Sequence, residues 1–536
     1  MPPRPLQIFP LVYWGAVTCL FAFAAWLRFS LPLDPISDLD TWGYLAPALH
    51  KLTGSHFNYQ GRNFVYPGFL FLLLRGFSDF RAITIGQHLL GLAAGGLFLM
   101  TWRRAHAFVA APWLKARSYN VLGLLAVAIF LLAGDPIRTE MRIRPEGVCA
   151  FLLTLNLWLA IQFTAGTFVE KKPPSAVLGV GLALTAVLLA SVKPSFVFLA
   201  LISLVPMGVS FLRAGFFWQK IWLASGATAG ALLLLIPEYL LSRNNYFAQT
   251  FLPTTLFVIH ADMIRDQMAD DLRLSSKIPY SREWLSRVHA ELSEEIAKSA
   301  AAEPKRYSSL GFNPDYLMYR EDSIAARLGQ ELQSDRAALT GFYRFYYWRT
   351  WRHRPFEMGR KVARQMAIFY APVCAAYDRS KFMWLTDSYR QGVASLNKFT
   401  YPDVWQKYRP AVDFLSRTES LADIAAPIMQ RRALRRALTF LARAYLPLLF
   451  LTLLLAVAAF FQRPLRRRVA WLAALTLFVF SYNAAACLEV AIFHSLEVPR
   501  YTSVQISVTL LAEFLAIWLL LEFLFQKREP RGVSPV

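Results

Sequence analysis

Ten apolar segments, each approaching or reaching the length of a bilayer crossing, decide what this chain can fold into. They are 6–29, 83–100, 119–133, 148–166, 176–192, 195–212 and 221–241, then 437–461, 469–488 and 502–525 after a long gap. A helix needs roughly 20 apolar residues to cross the hydrocarbon, where every backbone polar group must be satisfied from within. With 56% hydrophobic and only 17% charged residues in 536, the chain is too apolar for an ordinary soluble enzyme. The expected fold class is an all-α polytopic membrane protein with about ten transmembrane helices.

The net charge of +22 raises nucleic acid as a partner, but the distribution of charge argues against it. Basic residues gather in short loops: Arg103, Arg104, Lys115 and Arg117, then Lys171 and Lys172, then Arg213 and Lys220. Arg463, Arg466, Arg467 and Arg468 follow, and Lys527, Arg528 and Arg531 close the chain. With ten spans these loops share one side, which the positive-inside rule makes cytoplasmic. Both termini are then expected inside, with 32–80 and 242–432 outside. Segment 6–29 lacks a strongly basic start and a small-residue cleavage site, so it reads as a retained helix rather than a signal peptide. Cys19, Cys149 and Cys487 fall in expected spans and Cys374 outside, which gives no disulfide framework and no zinc spacing.

The chain therefore divides into an N-terminal membrane module, 1–241, an external segment, 242–434, and a C-terminal membrane module, 435–536. The first external loop, 30–80, is more than a connector. Residues 41–52 have helical periodicity, with Asp40 placed as N-cap and Gly54 as the stop. Residues 64–77 are apolar but short and interrupted by Arg75, as for a helix in the interface or re-entering the membrane. The external segment is polar and rich in Tyr and Trp, with helical stretches at 280–299, 314–333 and 355–370 and an amphipathic pattern over 358–376. No GxGxxG, Walker or HExxH pattern occurs.

Acids and bases from distant segments are expected to meet at the outer face. Asp38 and Asp40 lie in the first loop; Arg138, Glu140, Arg142, Arg144 and Glu146 lie between the third and fourth spans. Lys193 ends the fifth span, and His494, Glu497, Arg500 and Tyr501 precede the last. Glycosyl transfer from a polyprenyl phosphate needs that pairing. A carboxylate takes the proton of the acceptor hydroxyl, and cations hold the phosphate as its negative charge grows. The leaving phosphate needs no protonation, so a second carboxylate orients groups or binds a metal.

The run Asp40-Thr41-Trp42-Gly43-Tyr44, followed by Ala46, Leu49 and Gly54, resembles the Asp-Glu-x-x-Tyr/Phe loop of GT-C membrane glycosyltransferases. The nearest likenesses are the aminoarabinose transferase and protein O-mannosyltransferase groups. Tyr66-Pro67 and the apolar helix after it resemble their juxtamembrane helix. Arg144-Pro145-Glu146 resembles the site of a second acid, Val192-Lys193-Pro194 a Lys-Gly-Pro turn, and Arg500-Tyr501 the Arg-Tyr before a late span. The resemblance covers the membrane part, roughly two-thirds of the chain. It implies Asp40 as catalytic base, Asp38 and Glu146 as supporting acids, and Lys193, Arg500, Tyr501 and Arg144 around the lipid phosphate. It implies a polyprenyl-phosphate-sugar donor and a glycan, lipid or protein acceptor, among membrane lipids and without nucleic acid. Thr41 stands where the family has its next acid, and Arg62 is only near the position of a family Lys. No cofactor is required, and a divalent metal is left open. The setting implied is a bacterial inner membrane with a periplasmic active face.

Each residue also has a structural reading. Asp40 can be an N-cap alone, Asp38 a solvated loop acid, and Glu146 a partner of Arg142 or Arg144. Lys193 and Arg500 can snorkel to head groups, and His494 reads as an interfacial side chain. His260, Asp262 and Asp266 resemble a metal cluster superficially, but their spacing favours solvated structure. The aromatic run at 342–351, interleaved with Arg344 and Arg349, reads as an interfacial belt. Glu513, mid-span, must be protonated or paired. A transporter or flippase of a lipid-linked or anionic solute, with spans broken near Pro194 and Pro237, is the alternative function. A noncatalytic scaffold is the third, and it needs no convergence of Asp40, Lys193 and Arg500.

Overall fold

Apolar segments in a bilayer have no partner for their backbone N–H and C=O groups except one another, and here they fold as helices. The computed structural model describes residues 8–57, 62–274, 277–333, 335–398 and 402–525. Its N-terminal part runs α1 (Ile8–Phe29), α2 (Thr41–Leu52), α3 (Val65–Phe77), α4 (Arg81–Ala105), α5 (Ala116–Leu132) and α6 (Gly134–Glu140). It continues through α7 (Glu146–Thr164), α8 (Ala176–Val192), α9 (Val197–Ser203), α10 (Val205–Ser210) and α11 (Phe217–Ser242). A second part holds α12 (Tyr246–Ile259), α13 (Ala261–Arg273), α14 (Arg282–Ala302), α15 (Pro314–Tyr319), α16 (Ile324–Glu331), α17 (Arg336–His353) and α18 (Pro355–Tyr370). After β1 (Phe382–Met383) come α19 (Leu385–Lys398), α20 (Pro402–Lys407) and α21 (Arg409–Ile424), then β2 (Ile428–Met429), antiparallel to β1. The chain ends in α22 (Arg432–Phe461), α23 (Arg463–Phe493), α24 (Pro499–Ser503) and α25 (Ile506–Leu524).

The protein is membrane-embedded. Among the described residues seven helices, α1, α4, α7, α11, α22, α23 and α25, are long and apolar enough to cross a bilayer. Helices α5 and α6, bent by 50° at Ala133, make an eighth if they are one span. The ten expected segments are all helical, but two fall short of the length. Helix α8 has 17 residues, about 26 Å at 1.5 Å per residue, and the stretch after Pro194 breaks at Leu204.

The two ends of the bundle differ chemically. At one end Arg104 pairs with Glu170 at 2.6 Å, Arg213 donates to the Thr167 carbonyl, and Glu522 accepts from the Trp113 N–H at 2.7 Å. That end gathers the basic loops; Lys527, Arg528 and Arg531 lie outside the described residues. At the other end sit the first loop, the turn between α6 and α7, and the segment between α11 and α22.

This last segment has two halves. Helices α12 to α17 enclose their own apolar core, with Phe257, Leu285, Leu292, Phe342, Tyr343 and Tyr346 buried together. The aromatic run at 342–351 is thus core rather than an interfacial belt, because its rings recur at helical spacing toward one interior. His260 is likewise buried rather than solvated, with Nδ1 2.8 Å from the Leu256 carbonyl. The stretch 314–333 is divided between α15 and α16, and the amphipathic pattern from Met358 stops as helix at Tyr370. Lys361 of α18 docks this half on the bundle, donating to the carbonyls that end α23, Ala491 at 2.6 Å and His494 at 2.8 Å. Burial pushes the Lys361 ammonium down to about 7.

The other half, α19 to α21, clamps the first loop. The Tyr389 hydroxyl donates to the Asp34 carbonyl at 2.5 Å, and Arg417 spans Asp34 and Asp79 at 2.8 and 3.2 Å. Gly392 passes so close that a Cβ there would lie 2.7 Å from the Ser37 carbonyl oxygen. Trp42 packs on Trp405, and Phe80 stacks on Phe414 at 4.4 Å. The loop before α2 is therefore held from both sides.

Candidate functional site

A two-residue pairing positions the centre of the site. The Ile36 N–H donates to the Met141 carbonyl at 2.7 Å and the Ile143 N–H to the Ile36 carbonyl at 3.0 Å, a parallel bridge between Ile36 and Arg142. Two residues further along each strand of that bridge, Asp38 and Arg144 meet through Arg144 Nε and Asp38 Oδ2. Asp38 also shapes its own loop. Its Oδ1 accepts the Asp40 N–H at 2.9 Å, and its N–H donates to Thr41 Oγ1 at 2.8 Å. Such a side-chain turn holds the backbone at the start of a helix.

Asp40 stands at the start of α2, but its side chain makes no capping bond. Instead it faces three guanidinium groups. Arg500 Nη1 donates to Oδ2, Arg144 Nη2 lies 3.1 Å from Oδ2, and Arg62 Nη2 lies 3.1 Å from Oδ1. Burial pushes the Asp40 carboxyl up, but Arg500, Arg144 and Arg62 outweigh it and hold the group well below the usual carboxylate range. A second charged pair adjoins this one. Lys193 Nζ donates to Glu146 Oε1 at 2.8 Å and reaches the Arg500 carbonyl at 3.4 Å. Lys193 lies 4.8 Å from the centre of the Tyr501 ring, and Arg500 lies 5.3 Å from it.

All seven expected site residues, Asp38, Asp40, Arg144, Glu146, Lys193, Arg500 and Tyr501, therefore join in one contact network. Glu146 takes Lys193 as partner, not Arg142 or Arg144. Lys193 does not snorkel: its side chain is 5% exposed, turned inward onto Glu146. Arg500 likewise turns to Asp40. His494 packs its ring 5.2 Å from Tyr501, and burial with nearby Arg500 and Lys361 pushes its imidazole down to about 3. It is held neutral.

No protein-family model and no curated protein matches this chain. The reading of the site rests on its own chemistry.

Arg62 is the member that sequence reasoning undervalued. It stacks over Tyr44 at 5.0 Å and Phe251 at 5.6 Å, which aims its fork at Asp40. Gly43 leaves the room: a Cβ there would lie 3.2 Å from Arg62 Nε. Arg62 also forms one wall of a 570 Å³ cavity, lined further by Tyr319, Phe251 and Thr254 and by Gln330 and Arg336. Apart from Arg62 its walls come from the α12–α17 half, so Arg62 alone joins the cavity to the Asp40 cluster. Among the described residues no group of three or more His, Cys, Asp or Glu side chains could hold a metal. The donor set does not suit a divalent cation either, because Asp38 and Asp40 already face three guanidinium groups.

Proposed function

We propose that this chain is a GT-C-type glycosyltransferase that moves a sugar from a polyprenyl-phosphate donor to an acceptor at the membrane face bearing Asp40. One observation carries the reading: a partly buried carboxylate is ringed by Arg500 and Arg144, from the turns before α25 and α7, and by Arg62 of the first loop, with Lys193 one contact away. The acceptor hydroxyl attacks the anomeric carbon while Asp40 takes its proton. The bond from that carbon to the phosphate oxygen breaks, and its electron pair stays on the phosphate. The phosphate thereby gains one negative charge, which Arg500, Arg144 and Lys193 are built to receive. One direct displacement inverts the anomeric configuration. Asp38 positions Arg144 and the turn before α2, Glu146 positions Lys193, and Tyr501 walls the cations.

The remaining features accord with this scheme. Alternating ends put Lys193 with Arg500 and Arg213 with Thr167, which suits ten crossings in which α8 and the stretch 194–210 also span. The basic loops then face the cytoplasm with both termini, and the active face is periplasmic in a bacterial inner membrane. The 570 Å³ cavity beside Arg62 suits a polar acceptor.

The test is a panel of radiolabelled polyprenyl-phosphate sugars offered to the purified protein in lipid. Release or transfer of label from at least one donor is expected. Tight binding with no turnover of any donor would replace this reading with a transporter or flippase.

Asp40 is a poor base while three guanidinium groups hold it. A donor phosphate that draws Arg500 and Arg144 away raises its pKa, so the activated base forms only in the complex. The profile of kcat/KM, which reports free protein, is expected to show no acid limb from Asp40 above about pH 4. The profile of kcat, which reports the complex, is expected to fall at a higher pH. Coincident acid limbs in the two profiles would contradict this activation.

A further inference from the structure

Helix α22 carries a second cationic site that shares no residue with the Asp40 cluster. Arg432, Arg435, Arg436 and Arg443 recur at spacings of three, one and seven, which places them on one stripe of the helix, with Thr439 and Phe440 between. With Arg379 from the connection after α18 they line a pocket of 350 Å³. No acidic residue lines it, and among the described residues none of the five arginines is ion-paired. The nearest acid in sequence, Asp378, is turned away to Arg138 at 3.4 Å. Guanidinium groups stay charged at every accessible pH. Five of them in one pocket therefore repel one another until an anion enters.

The stripe does not end where the membrane begins. Below Arg443 the same side of α22 presents exposed Phe450, Leu454, Val457 and Phe461. From Phe440 to Phe461 is about 31 Å of helix, the thickness of the hydrocarbon. At the start of α22, Arg431 stacks 5.4 Å from Phe23 of α1, with Trp26 exposed beside it. Arg443 lies one turn into that stretch, on a face otherwise given to lipid and with no ion pair among the described residues. An uncompensated arginine there is costly unless it meets a phosphate.

We propose that the arginine pocket of α22 binds the head group of a membrane lipid carrying two phosphates, its acyl chains lying along the Phe450–Val457 face. Arginine forks match phosphate oxygens two at a time, and five positive charges exceed what one phosphate neutralises. The apolar stripe continuous with the pocket selects a lipid over free phosphate.

The test uses full-length protein in vesicles of zwitterionic lipid doped with a two-phosphate lipid, a one-phosphate acidic lipid, or neither, with retained lipid counted by native mass spectrometry. Wild type is expected to keep one two-phosphate lipid in preference to both others. R435Q/R436Q/R443Q is expected to weaken that retention about 100-fold, at roughly fivefold per arginine near the surface. R466Q/R467Q/R468Q removes the same charge at the opposite end and is expected to retain the lipid. Equal loss in both triple variants would reduce the site to unspecific charge attraction and overturn it. Displacement of the lipid by millimolar inorganic phosphate would overturn the lipid assignment in favour of a free anion. R435K/R436K/R443K guards against a folding defect: it keeps charge and is expected to bind with intermediate strength, whereas loss equal to the Gln variant with an unchanged elution profile would overturn the role of the forks.

Discussion

Asp40→Asn is expected to lower kcat for sugar transfer by about 10²–10⁴-fold, the range a positioned general base supplies. Asn has the same size and leaves α2 its backbone start, which owes nothing to the Asp40 side chain. The substitution removes the one acceptor able to take a proton from the incoming hydroxyl. It also frees Arg500, Arg144 and Arg62 from their common partner. Freed guanidinium groups hold a donor phosphate at least as well as before, so KM for the donor is expected to stay level or fall. That split separates a base from a phosphate-binding residue, whose loss raises KM. Steady-state transfer by purified wild type and variant, with matched elution profiles, measures both parameters. Turnover equal to wild type would remove Asp40 from the chemistry.

The sequence was informative about the site because each member sits where a helix ends. Asp40 follows α1, Glu146 opens α7, Lys193 closes α8 and Arg500 precedes α25, and such positions follow from hydropathy boundaries alone. Membrane crossing then brings distant residues to one face without any need to foresee side-chain contacts. What hydropathy does not carry is partner choice. Glu146 lies two residues from Arg144 yet pairs with Lys193, because the bridge at Ile36 sends Arg144 toward Asp38. Asp40 holds the expected N-cap position of α2 but makes no capping bond, because three guanidinium groups compete better for its carboxylate than backbone N–H groups do. The aromatic run at 342–351 misled because its composition fits a belt and a core equally, and only the helices around it decide. Glu513 did find a partner, the Tyr377 hydroxyl, which arrives from the connection after α18 and has no sequence signature.

The largest effect on stability is expected from Arg28→Met. Arg28, near the end of α1, holds Glu140 through Nε at 2.8 Å and Nη2 at 3.0 Å, and His88 Nδ1 lies 2.8 Å from the same carboxylate. Arg28 and His88 are fully buried and Glu140 is 3% exposed. Arg28 Nη1 also donates to the Leu131 carbonyl at 2.9 Å, at the bend between α5 and α6. The fit depends on Gly91, since a Cβ there would lie 2.0 Å from Glu140 Oε1. Removing the guanidinium leaves the carboxylate in the interior without its charged partner, which costs about 3–5 kcal/mol when a buried pair is broken. Replacing both members removes the stranded charge, so Arg28→Met/Glu140→Gln is expected to recover most of that loss. Unfolding of the purified protein in detergent, followed for wild type, both single variants and the double, closes the cycle. Equal destabilisation in single and double would show that packing, not charge, holds this position. The pair also reaches the site, because Glu140 fixes the start of the turn that delivers Arg144 to Asp38 and Asp40. Transfer activity is therefore expected to fall with stability in Arg28→Met and to return with it in the double variant.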